Sequence, residues 1–82
     1  MTEALQQQIE QVKQSILAHY PEAKFVFAPS EHDDIYHLSV YYGAGNLQIP
    51  VTVARDLNLI WQNERITVIT VVYPMAHYKE EP

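Results

Sequence analysis

The sequence predicts a small two-layer α+β sandwich in the order α-β-β-α-β, with two helices against one face of a small antiparallel or mixed sheet. Three observations lead there. Leu5, Ile9, Val12, Ile16 and Tyr20 recur at helical spacing among polar residues. Two short runs of alternating character, Lys24 to Ala28 and Ile35 to Tyr42, flank a polar turn. Ile66 to Tyr73 is almost wholly β-branched and carries no charge. With 82 residues the chain has room for a single domain over 1–82. A chain of this size buries roughly 60% of the surface it exposes unfolded, which supports one core.

The first element is an amphipathic helix over about residues 3–19. Gln, Glu and Lys fill the positions between its apolar residues, and Tyr20 precedes Pro21, a position that avoids helical backbone. Lys24 to Ala28 alternates aromatic with other residues and stops at Pro29, as a short strand does. Ser30-Glu31-His32-Asp33-Asp34 is a polar turn. In the second strand Tyr36, Leu38, Val40 and Tyr42 share one face, and Ile35, His37, Ser39 and Tyr41 share the other. Gly43-Ala44-Gly45-Asn46 holds both glycines of the chain and reads as a turn.

Residues 47–62 admit two readings. With period two, Leu47, Ile49, Val51 and Val53 form a strand that Pro50 confines to an edge. With period 3.6, Pro50 takes the first helical position and Val53, Leu57, Ile60, Trp61 and Glu64 lie three or four apart. The second is preferred, giving an extended piece to Ile49 and a helix over about 50–62. Ile66 to Tyr73 is the strongest strand signal. An exposed edge of that composition invites aggregation, so this strand is expected to be central or covered, with Pro74 ending it. The tail over about 76–82 is expected to fray.

Charge and composition weigh against several function classes. Five Lys and Arg stand against ten Asp and Glu, a formal net charge of −5, and no Lys or Arg occurs from Phe25 to Ala54. Affinity for nucleic acid rests mainly on cations set against phosphates, so nucleic acid is disfavoured as a partner. The absence of cysteine removes disulfides, zinc–thiolate sites and a thiol nucleophile. The polar start has neither a basic nor an apolar signal region, and no apolar stretch is long enough for a span. A cytoplasmic protein with no membrane partner is expected.

The charge deficit is local. Ile35 to Ala54 and Ile66 to Tyr78 contain no Asp, Glu, Lys or Arg. The sheet face away from the helices is expected to show His37, Ser39 and Tyr41 beside Thr67, Ile69, Val71 and Tyr73. No segment remains to cover that face, so a partner is expected to do so, either a second copy in a homodimer or another protein.

Ser30, His32 and Asp33 are near neighbours, but a catalytic triad is assembled from separate chain positions, and no catalytic residue is assigned. His32, Asp33 and His37 are the candidates for a metal, with His77 as a further donor, but they match no ligand spacing and no cofactor is assigned. A small metal-dependent or hydrolytic enzyme is thus the third-ranked function. Gly43-Ala44-Gly45 lacks the lysine of a phosphate loop. Tyrosine and tryptophan dominate interface hot spots, and His37, Tyr41, Trp61 and Tyr73 are the expected contact residues.

Two resemblances bear on function. Ile49-Pro50 followed by Val53, Leu57 and Leu59, then Arg65-Ile66-Thr67-Val68, resembles the swapped-hairpin DNA-binding family of AbrB regulators and antitoxins over roughly twenty residues. That resemblance implies an antitoxin-like or transcription-linked regulator, the second-ranked function. The order α-β-β-α-β is similar to that of BolA-like and related KH-like domains, although the chain has no GxxG loop and no histidine in the helix after Pro50. The first-ranked function is a protein-interaction or regulatory module.

Overall fold

The apolar stripe at Leu5, Ile9, Val12 and Ile16 forms the buried side of the first helix, α1 (Glu3–Leu17), in a computed structural model that describes residues 3–79. The regular helix ends at Leu17, two residues short of the expected 19, and a turn carries the chain to Tyr20, whose N–H reaches the Ile16 carbonyl at 2.8 Å just before Pro21. The strands β1 (Lys24–Pro29) and β2 (Ile35–Tyr41) follow, then α2 (Val51–Glu64), β3 (Thr67–Tyr73) and a 3-10 turn at Met75–His77. Of the tail expected to fray, Ala76 and His77 lie in that turn, while residues 80–82 fall outside the described residues.

The sheet is mixed, with strand order β1-β2-β3. β1 pairs antiparallel with β2, setting Phe25 opposite Val40 and Phe27 opposite Leu38. β2 pairs parallel with β3, setting Leu38 opposite Thr70 and Val40 opposite Val72. Parallel neighbours need a crossover connection, and α2 supplies it. Leu38, Val40 and Val68 from the sheet meet Leu5, Ile9, Val12, Ile16, Val53 and Ile60 from the helices in one core. Both helices therefore cover the same side.

One expectation about backbone holds and one needs correction. Residues 51–64 are helical, as the preferred reading of this segment requires, and neither the period-two alternative nor a hairpin of the AbrB kind forms there. Pro50 is the N-cap in extended backbone, and the helix runs on to Glu64 because Arg65 adopts φ 56°, donating its N–H to the Trp61 carbonyl. More consequentially, β3 is an edge strand and β2 is central. The hairpin places β1 on one side of β2 and the crossover places β3 on the other, and no further strand is present among the described residues to cover β3.

A hydrogen bond ties the two helices, from Ser15 Oγ to Asp56 Oδ2 at 3.2 Å in a half-buried setting. Ser15→Ala is expected to cost about 1 kcal/mol, typical of removing one partner of such a bond. A urea melt followed by circular dichroism measures it.

Candidate sheet-face interface

The face that the helices leave uncovered follows from the pleat. Because Leu38 and Val40 point into the core, their neighbours His37, Ser39 and Tyr41 point away. Strand register then builds rows across this face. Lys24, Tyr41 and Tyr73 form one row, Val26, Ser39 and Val71 the next, and Ala28, His37 and Ile69 the third. Val26 and Ile69 are each 41% exposed and Tyr73 is 37% exposed, large values for apolar and aromatic residues in a three-stranded sheet. Lys24 is the single Asp, Glu, Lys or Arg in these rows.

An aromatic cluster closes one end of the face. The Tyr41 ring stacks on Tyr73 at 5.4 Å between centroids and meets Tyr78 at 5.3 Å, tilted by 59°. Backbone bonds hold the cluster, the Tyr42 N–H donating to the Tyr73 carbonyl at 3.1 Å and the Met75 N–H to the Gly43 carbonyl at 3.0 Å. A bridge between Ala44 and Pro74 completes the tie. Tyr78 is thereby folded back onto the sheet.

Three of the four expected contact residues, His37, Tyr41 and Tyr73, share this face. Trp61 does not. It lies on α2 in the layer across the sheet, 47% exposed, with the Arg65 guanidinium 4.6 Å from its ring centroid. Ile60 is fully buried, and the next residue is rotated by roughly 100° around the helix, which carries Trp61 off the core side. Val26 and Tyr78 also belong to the face, beyond the four expected contacts. The alternation of Val26 with Phe25 and Phe27 is the signal that finds the first; nothing local signals the return of Tyr78.

The polar turn is built from backbone. Ser30 Oγ accepts the His32 N–H at 3.0 Å and lies 3.2 Å from the His32 carbonyl, while the Ser30 N–H donates to the Ile35 carbonyl. This arrangement engages the serine hydroxyl with main chain and not with an imidazole. His32 and His37 border one open depression with Pro29, Ser30 and Glu31. Among the described residues no three His, Asp or Glu side chains gather as a metal would require, so His32, Asp33 and His37 do not form such a set. No helix of the described residues is long and apolar enough to cross a membrane. No protein-family model, curated protein or solved structure matches the chain.

Proposed function

We propose that the protein is an interaction or regulatory module that works through the open face of its sheet, as a homodimer or as a subunit of a larger protein assembly. The observation that carries this reading is the face itself: His37, Ser39, Tyr41, Ile69, Val71 and Tyr73 lie together, with Val26 and Ile69 well exposed. Contiguous apolar surface on a small protein marks a place where another surface sits. Tyrosines suit that role because each buries much area while its hydroxyl keeps a polar contact. A partner of matching character presents apolar and aromatic side chains, since Lys24 alone offers a formal charge in the rows. Localisation in the cytoplasm belongs to the same proposal.

Val26→Lys tests it. Val26 stands on β1, exposed, so a lysine there leaves the core intact while placing a charge on the face. Binding to proteins recovered by the tagged full-length chain from its native lysate is expected to weaken at least about tenfold, as for a charge set within an apolar contact. Unchanged recovery and unchanged oligomeric state, in a variant with wild-type circular dichroism, would remove the face from the binding surface.

A further inference from the structure

The Thr67 N–H donates to the Asp34 carbonyl at 2.8 Å, and the Tyr73 carbonyl accepts from the Tyr42 N–H at 3.1 Å. Thr67, Ile69, Val71 and Tyr73 therefore direct their backbone groups at β2, and the alternation of a strand directs those of Val68, Thr70 and Val72 outward. Among the described residues no hydrogen bond reaches these outward groups. The opposite edge is different. The Ser30 N–H bonds the Ile35 carbonyl, so Phe25, Phe27 and Pro29 are the outward residues of β1, and Pro29 has no N–H to offer. Proline and lysine are standard means of blunting an edge, and β1 has both, in Pro29 and Lys24. β3 has neither.

We propose that a second copy of this chain pairs antiparallel along β3, joining the two sheets into one of six strands about a two-fold axis at Thr70. This rests on the free edge and not on the reading of the open face. Four features select a second copy. The outward set is symmetric about Thr70, so a two-fold axis there sets Val68 against Val72 of the other chain and Thr70 against its own counterpart, engaging all three outward residues of each chain. Pro74 lies just past the last of them and ends the ladder. Thr70 Oγ1 is buried within the single chain and has no hydrogen-bond partner there, and the pairing brings two Thr70 side chains opposite each other, where a χ1 rotation turns the hydroxyls into a bond across the strands. Residues 66–78 carry no Asp, Glu, Lys or Arg, so two chains of net charge −5 meet without like charges at the seam. On the open face Ile69 then lies opposite Val71 of the other copy, and the two faces become continuous.

The test combines mass and amide exchange on the intact chain. Sedimentation across a roughly hundredfold concentration series is expected to show conversion from the 9.5 kDa monomer to twice that mass. Over the same series the amides of Val68, Thr70 and Val72 are expected to slow in exchange by at least about tenfold. Thr70→Pro removes an outward N–H and leaves the ladder to β2 intact, so a folded monomer is expected. Thr70→Val is expected to weaken the dimer about fivefold while leaving the monomer as stable or more so, because a buried hydroxyl without a partner is gone. A monomer at every concentration with those three amides unprotected overturns the proposal. So does a dimer in which they stay unprotected while the side chains of Val26 and Tyr41 change environment; that result places the second copy on the open face. Protection that appears only when another protein is added also overturns it, assigning the edge to a foreign strand. The exchange measurement decides even if Thr70→Pro fails to fold.

Discussion

Replacing Leu38 by alanine is expected to lower the unfolding free energy by about 2–5 kcal/mol, the usual range for emptying a fully buried leucine site. Leu38 is 0% exposed at the middle of the central strand, with Phe27 beside it on β1 and Thr70 on β3. Its side chain faces the layer where α1 and α2 supply Val12, Ile16, Val53 and Ile60. Neither strand neighbour can move in to fill the space, because the residues flanking each of them are held by ladder bonds to β2. A domain of this size has a total stability of about 4–12 kcal/mol, so the loss is a large share of it. Urea denaturation read by far-ultraviolet circular dichroism is expected to show a lower midpoint with an unchanged slope. Leu59→Ala, at a half-exposed position on α2, is expected to change stability by less than about 1 kcal/mol. Equal effects from the two would mean that the core is not centred on β2.

The contrast between Leu38 and β3 marks how far local pattern reaches. Period and spacing determine which side chains share a face, and this is a property of a few consecutive residues. The core stripe of α1 and the grouping of His37 with Tyr41 were therefore legible. Tyr73 joined them because each strand was assigned the correct face. Strand order is different, since it depends on which element crosses to which side. Ile66 to Tyr73 looks central by composition, yet the crossover through α2 leaves it at the edge. Its apolar character has two causes: one face meets the core through Val68 and Val72, and the other is part of the open sheet. Composition alone does not separate a strand buried between neighbours from one at the edge of a sheet. Trp61 lies off that face for a related reason, because aromatic identity does not carry the angle at which α2 presents it. The position of Pro50 favours a helix over about 50–62 rather than a strand, and the observed helix over residues 51–64 packs its apolar side at Val53 and Ile60 as that reading requires. Tyr78 is the residue least accessible to pattern, as its place on Tyr41 depends on a turn and a bridge formed by residues far apart in the chain.

Gly45→Val is expected to cost about 2–4 kcal/mol and to disturb the tyrosine cluster. Gly45 has φ +83°, outside the range a β-branched residue readily adopts. A side chain there also meets Pro74, whose N and Cδ both lie 3.3 Å from the Cβ position. Pro74 is held in turn by its bridge to Ala44, so it cannot move alone. Displacement would pass to Tyr73 on one side and to the Met75–His77 turn on the other, and these two segments place the rings that meet Tyr41. The near-ultraviolet circular dichroism of the tyrosines is therefore expected to weaken along with the melting temperature. Ala44→Val, at the exposed neighbouring position, controls for bulk in the loop and is expected to shift stability by less than about 1 kcal/mol. A Gly45→Val protein as stable as the control, with its tyrosine signal intact, would show that the loop and tail yield independently. The cluster would then not be positioned by the close approach of Gly45 to Pro74, and the open face would lose the fixed aromatic end on which the proposed binding surface depends.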